Sequence, residues 1–500
     1  MFPSDRLPRL LGGLAGLAGL FSLRHYLDAG LTLAHYDAKA HLVVARRVLD
    51  SLTPGADQVG AVWLPLPHLL QLLPVQNDWV YRTGATAIAV SLLSLALSAT
   101  ATAAIVTRLT GSLTAACAAV VLFTWNANLL YLHATPMTEP LLFATVLMAG
   151  WSLTEWATGD TGPAPPIAGA WMVAACLTRY EAWPITGAMV VFATLARWRQ
   201  GDPWPHVWQS FVRLAAYPIA TALLFACWSR YTIGEWFVTG GFYVPDPTLQ
   251  GKPGVVFAKI LEGTALLSSD WFVQVALASA IVVTAVALLN RRRAALLVPL
   301  GLFAAALLPL SAYLSGHPFR MRYELPIVVA GAVAAGLAVG LLRWAAPLAA
   351  SALIAATLWT TVPFAPDAPM VREAQLDRPN GLARRAVTAC LARDYRGEII
   401  FASMGSLAHY MHELSQIGLG IRDFLHEGNH PMWDDAIVNG GAPYAGWMLV
   451  EEVAEGGDVI AARMRETPAF AARYTRVCEG GNVALYRRTD AMTASIASWR

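Results

Sequence analysis

From about residue 10 to residue 364 the chain runs through one apolar stretch after another. Many of them reach or approach the ~20 residues a helix needs to cross a ~30 Å hydrocarbon core. In lipid the backbone must satisfy its own polar groups, so these stretches are helices. Composition agrees: 56% of the 500 residues are hydrophobic and 14% charged, against roughly 25% charged in a typical soluble domain. The net charge of +2 comes with no basic patch, which sets nucleic-acid binding aside.

About eleven spans can be read. They fall near residues 10–23, 84–106, 113–132, 141–156, 167–177 and 182–197, then 212–228, 270–290, 294–314, 325–342 and 346–364. A longer turn-rich loop, about 230–269, separates the seventh from the eighth. Arg6 and Arg9 precede the first span and favour a cytoplasmic N-terminus. The turns that then fall inside hold Arg108, Arg197, Arg199, Arg291, Arg292, Arg293 and Arg343, a positive-inside pattern. The predicted product is a mainly α, polytopic bundle in the plasma (inner) membrane, with residues 1–365 as its membrane part. The first outer loop is 25–82.

Residues 366–500 read differently. EIIFASM (398–404) has the pattern of a buried strand, LAHYMHEL (407–414) of a helix, DVIAARM (458–464) of either, and NVALYRR (482–488) of a terminal strand. This is a small soluble α/β domain, placed outside the membrane by the span count. Cys117, Cys176 and Cys227 lie in apolar runs and suit small buried hydrophobes. Cys390 and Cys478 could pair if this domain is extracytoplasmic.

The most informative stretch is the first outer loop. Its apolar positions Leu42, Val43, Ala45, Val48, Leu49 and Leu52 fall at helical spacing. Such a helix is expected to lie in the interface, with Arg46 and Arg47 toward the headgroups. It would hold Asp37, amid His35, Tyr36, Lys39 and His41, at the boundary of lipid and water. An acid there can take a proton or bind a cation; the plainer reading is a solvated loop carboxylate. Three further groups share the predicted outer side. In HATPMTEP, Glu139 is a second acid, though Thr138, Glu139 and Pro140 also suit a helix start. In TRYEAW, Arg179, Tyr180 and Glu181 form either a local ion pair or a cavity wall. Near RMRYELP, Arg320 and Arg322, with Tyr323, break the positive-inside bias. Arginine forks suit phosphate, while snorkelling to headgroups is the alternative. His35, His41, His68 and His133 show no metal-ligand spacing on one helix.

Taken together, HYDAKAH, WLPLPHLL, MTEP, TRYEAW and RYELP, in that order over residues 10–345, resemble the GT-C superfamily of membrane glycosyltransferases. The branch is that of protein O-mannosyltransferases and lipid A aminoarabinose transferases. The resemblance implies a sugar donor on a polyprenyl phosphate, with Asp37 as catalytic acid or base and Glu139 as a second acid. It puts Arg320, Arg322 and Tyr323 by the donor phosphate. His35, Tyr36, Lys39, His41, Arg179, Tyr180 and Glu181 then line the cavity. The acceptor is a lipid, glycan or protein, and transfer inverts the anomeric centre. No cofactor is implied, although a divalent cation could assist. One departure is that Ala38 stands where protein O-mannosyltransferases carry the Glu of an Asp-Glu pair. The alternative class is a transporter or lipid flippase. Those proteins gather polar groups near the midplane of broken helices; here they gather at one surface.

Overall fold

The computed structural model describes residues 6–159, 162–238, 243–441, 443–454 and 456–489. Asp160 and Thr161 of one short loop, and Gly240, Gly241 and Phe242 of the turn-rich segment, lie outside them. Among the described residues six helices are long and apolar enough to cross a membrane: Arg6–Asp28, Ala85–Thr110, Trp204–Ile233, Asp270–Leu289, Arg291–Leu314 and Met321–Leu341. Leu113–Thr124 and Ala127–His133 make a seventh as a pair bent by 72°. The bend has a local cause. Asn126 ends the first helix and caps the second, its Oδ1 accepting from the N–H groups of Asn128 (3.0 Å) and Leu129 (3.1 Å). The other expected spans are helices too: Glu139–Thr158, Pro166–Cys176, Ala182–Gln200 and Ala346–Thr360.

The segment 230–269, expected as a loop, contains one more helix, Pro253–Leu267. Proline and glycine at its start read as turn residues, but proline is also a favoured first helical residue. It packs against the segment Met321–Glu324.

Small residues let the helices approach. On Leu325–Leu341, Gly336 and Gly340 stand four apart, facing Ala119 and Thr110. A Cβ on either would come within 2.5 Å of those side chains. Lipid offers no hydrophobic drive between helices, so this close van der Waals contact is what holds them.

The C-terminal part carries a five-stranded sheet: β1 (Ile399–Ala402), β2 (Phe424–Leu425), β3 (Ala445–Glu451), β4 (Tyr474–Gly480) and β5 (Val483–Arg488). Its order is β2-β1-β3-β5-β4, with β1 parallel to β2 and β3, and β5 antiparallel to β3 and β4. The ambiguous run 458–464 is helical, within Val459–Glu466, capped by Asp458. A disulfide joins Cys390 to Cys478.

This domain is mounted on the segment 25–82. The helix Tyr36–Arg47 packs on Met404–Leu414, and Leu42, Val43 and Ala45 share one core cluster with Leu407, Tyr410 and Met411. This corrects the interfacial expectation. Arg46 is buried against Asp50 (2.7 Å) and Asp78 (2.7 Å) instead of meeting headgroups, and Arg47 bonds to the Gln58 carbonyl. Leu42, Val43 and Ala45 face protein because the C-terminal domain covers them, while the helix stops at Arg47 and Leu49 beyond it is 49% exposed. Lys39 reaches Glu413 (2.6 Å), which also meets the buried Arg384 (3.3 Å).

His412 belongs to the same mount, with Nε2 2.9 Å from the Tyr81 carbonyl. Burial lowers its imidazole to about 4, against the pull of that carbonyl. The unfolded chain therefore takes up a proton between about pH 6.5 and 4 that the folded chain refuses, so this part of the stability is lost as pH falls through that window. Thermal unfolding in detergent should show the wild type losing more Tm than His412→Gln between pH 7.0 and 5.0. Parallel losses would contradict the assignment.

Candidate active site

The site forms where three membrane-surface segments meet the first-loop helix. His35 starts that helix: its Nδ1 accepts from the Asp37 N–H at 3.1 Å, an N-cap made by an imidazole. With Nδ1 accepting, the neutral ring carries its proton on Nε2, which faces Glu373 Oε1 at 3.5 Å. Tyr36 stacks on His35, ring centroids 4.8 Å apart. Asp37 follows in the first turn, where the helix dipole favours an anion.

Asp37 is 5% exposed and ion-paired with Arg322 Nη1. Arg322 comes from the other end of the membrane part, in the turn Met321–Glu324 that opens the helix Leu325–Leu341. Burial alone would raise the Asp37 carboxyl; Arg322 outweighs it and holds the group well below the usual carboxylate range. Glu373 is likewise held low, against burial, by its hydrogen bond with His35 and by Arg322.

The second centre is Arg179. It stands between Glu139 (3.0 Å) and Glu181 (2.7 Å), and Thr138 Oγ1 accepts from its Nη1 at 3.0 Å. Thr138 holds the N-cap position of Glu139–Thr158, but its side chain makes no capping bond. Burial opposes the Arg179 charge; Glu139 and Glu181 keep it firmly protonated, while Arg322 is near enough to repel it. The local-pair and cavity readings of TRYEAW thus meet in one residue.

The other expected site residues divide. Tyr180 hydrogen-bonds the Val62 carbonyl (3.3 Å), tying its turn to the segment 25–82. The Tyr323 hydroxyl lies 3.5 Å from His317 Nε2. The Arg320 N–H donates to the Tyr313 hydroxyl at 3.1 Å, and that hydroxyl lies 2.9 Å from Glu324. Lys39 turns away to Glu413, and so does not join the group around Asp37. His41 comes up against His68 (Nδ1 to Nε2, 3.1 Å), while His133 is buried elsewhere between Phe123 and Phe143. Among the described residues no cluster of three or more His, Cys, Asp or Glu side chains suits a metal ion.

Glu373 escapes a sequence reading. It sits in PMVREAQ, past the last span, with nothing around it to mark a site; only the fold brings it to His35.

The fold belongs to a recognisable class. No protein-family model and no curated protein matches this sequence. Among solved structures, ArnT from Cupriavidus metallidurans bound to undecaprenyl phosphate superposes with a TM-score of 0.60 over 97% of this chain and 98% of that one, at 13% identity. Apo ArnT from the same organism gives 0.54, over 93% and 97%, also at 13% identity. The chain therefore shares the fold of these ArnT structures, with membrane helices and sheet domain both included in the match.

Removing one partner of a buried ion pair typically costs ~3–5 kcal/mol because the remaining charge is stranded. Arg179→Ala would strand two carboxylates. It should lose about that much stability in denaturant unfolding of the purified protein, and a loss under ~1 kcal/mol would contradict the buried pairing.

Proposed function

We propose that this chain is a membrane glycosyltransferase that moves a sugar from a polyprenyl-phosphate donor to an acceptor on the extracytoplasmic face. The observation that carries the reading is the buried Asp37–Arg322 pair, which joins the first outer loop to the late helix inside a GT-C fold. One structure of that fold, the ArnT complex, holds undecaprenyl phosphate.

In this reading residues 1–365 are the catalytic part and 366–500 a soluble extracytoplasmic domain. Eleven spans put the N-terminus in the cytoplasm of a plasma (inner) membrane. The polyprenyl tail lies along the helices, and the phosphate comes to Arg322, with Arg320 and Tyr323 beside it. An arriving phosphate competes with Asp37 for the Arg322 guanidinium. Donor binding thus loosens the ion pair, and the freed carboxylate regains its affinity for a proton. Asp37 then receives the acceptor's hydrogen bond as the catalytic acid/base and directs attack on the anomeric carbon. The phosphate departs from the opposite face, which inverts the centre. Negative charge grows on the leaving phosphate, where a fixed guanidinium stabilises the transition state more than the ground state. Glu139 and Glu181 hold Arg179 in place at the rim of the same space. His35 and Tyr36 shape the turn that presents Asp37.

A catalytic acid or base contributes typically 10²–10⁴-fold. Asp37→Asn should therefore lose at least ~100-fold of transfer from radiolabelled polyprenyl-phosphate sugars, compared at equal amounts of folded protein; near-wild-type transfer would sink the reading. Arg322→Ala should raise the KM for donor far more than Arg343→Ala, since Arg343 lies at the opposite end of the same helix. Equal effects would argue against phosphate at Arg322.

A further inference from the structure

Glu373 stands close enough to Asp37 and Arg322 to feel both charges, yet the reaction as proposed gives it nothing to do. It lies on the short helix Pro369–Ala374, past the last span. The backbone pins that helix to the membrane part. The Met370 N–H donates to Asn128 Oδ1 at 2.9 Å, and Asn128 Nδ2 donates in turn to the Leu267 carbonyl at 3.0 Å. The Glu373 carboxylate is thus presented from a fixed base, and it faces His35 Nε2 at 3.5 Å.

The His35 ring is held at both ends, and its proton can be placed from the geometry. A backbone N–H only donates. His35 Nδ1, 3.1 Å from the Asp37 nitrogen, therefore offers its lone pair. A ring that accepts at Nδ1 is neutral and carries its proton on Nε2. An ionised carboxylate only accepts, so Glu373 Oε1 is the complement of that N–H. The contact is at the long end of hydrogen-bond range, but among the described residues Nε2 meets no other acceptor.

Two errors would break this arrangement. With the proton on Nδ1, two N–H groups would face each other at the cap. With the ring turned over, the Asp37 amide would meet carbon in place of nitrogen. Glu373 opposes both, because each takes the Nε2–H away from it. His35 is 0% exposed, so water cannot replace the lost bonds.

The amide that the ring caps is that of Asp37 itself, in the first turn of Tyr36–Arg47. Losing the cap frays that turn. Arg322 is held separately, in the turn Met321–Glu324. A frayed first turn would therefore move the carboxylate against a fixed guanidinium.

We propose that Glu373 is a positioning residue for Asp37, acting through the His35 imidazole, so that the segment after the last span takes part in the reaction without touching substrate. This rests on the transferase reading above and adds to it a residue that sets the aim of the catalytic carboxylate.

Two measurements test this. The first needs no substrate: solid-state ¹⁵N NMR of histidine-labelled wild type in lipid nanodiscs, with the His35 signals assigned from the His35→Asn spectrum. The proposal requires a proton on Nε2 and none on Nδ1. A proton on Nδ1 overturns it, whatever the protein's activity.

The second is transfer from radiolabelled polyprenyl-phosphate sugars, compared at equal amounts of folded protein. Glu373→Gln and Glu373→Leu both remove the negative charge, so any effect of that charge on Arg322 and on the KM for donor is common to the two. Only Gln keeps an oxygen for the Nε2–H. Glu373→Gln should hold kcat within about threefold of wild type, while Glu373→Leu should lower it ~10-fold, since small misplacements of a reacting group are costly. Asparagine is itself a good N-cap and has no tautomer to set, so His35→Asn should keep at least about a tenth of kcat. In that background Glu373→Leu should cost less than about twofold, whereas a residue that merely packs its own helix would cost the same in both. Equal kcat in Glu373→Gln and Glu373→Leu, equal costs of Glu373→Leu in the two backgrounds, or an inactive His35→Asn overturns the proposal and leaves the transferase reading standing. Near-wild-type transfer by Asp37→Asn overturns both, and because that variant is measured separately the two failures are told apart.

Discussion

The buried ion pair between Asp37 and Arg322 is the contact on which the rest of the membrane surface depends. Neither charge could be held there alone, since an isolated buried ion costs several kcal/mol even after relaxation. Each therefore fixes the other, and with it the segment that carries it: the first-loop helix on one side, the start of the helix Leu325–Leu341 on the other. A pair of this kind is also exchangeable. It presents a guanidinium that an incoming anion can claim, and a carboxylate that changes its proton affinity when the claim succeeds. Structural and chemical roles thus reside in the same bond.

Around that pair the charges are layered. Arg179 is clamped between Glu139 and Glu181, and Glu373 is tied through His35 to the N-terminus of the first-loop helix. These contacts hold acids and bases in place at a surface where water and lipid headgroups would otherwise compete for them. The soluble domain adds a further constraint. It covers Leu42, Val43 and Ala45 of the first-loop helix and grips Lys39, Asp50 and Tyr81 through Glu413, Arg422 and His412. Its position on that helix makes it part of what keeps Asp37 in register, beyond any contact it has with an acceptor.

Much of the fold was legible because lipid leaves few choices. Each apolar run had to be helical, and each is, although the run 113–132 is broken into two helices at Asn126. The unread helix Pro253–Leu267 begins with a Pro-Gly pair that signals a turn as readily as a helix start. In the soluble domain, β1 and β5 stood out as apolar runs. β2 has only two residues and β4 is largely solvent-facing, so neither carries a strong pattern. Within the site, Asp37, Glu139, Arg179, Glu181 and Arg322 were visible as charges out of place beside apolar segments, and the structure brings them near one another. Their pairing was not visible: Asp37 and Arg322 are separated by most of the membrane part. Arg46 and Arg47 were misjudged for one reason. Sequence shows an amphipathic face but not what covers it, and here protein does so where lipid was expected. The meeting of His41 with His68, across a turn rich in proline, had no signal at all.

The central claim is that Arg322 exchanges Asp37 for the donor's phosphate. A cryo-electron microscopy structure of the full chain in nanodiscs with undecaprenyl phosphate tests it most directly. The account predicts phosphate oxygens within ~3 Å of the Arg322 guanidinium, with Asp37 released. Phosphate bound away from Arg322, with the Asp37–Arg322 pair unbroken, would contradict it.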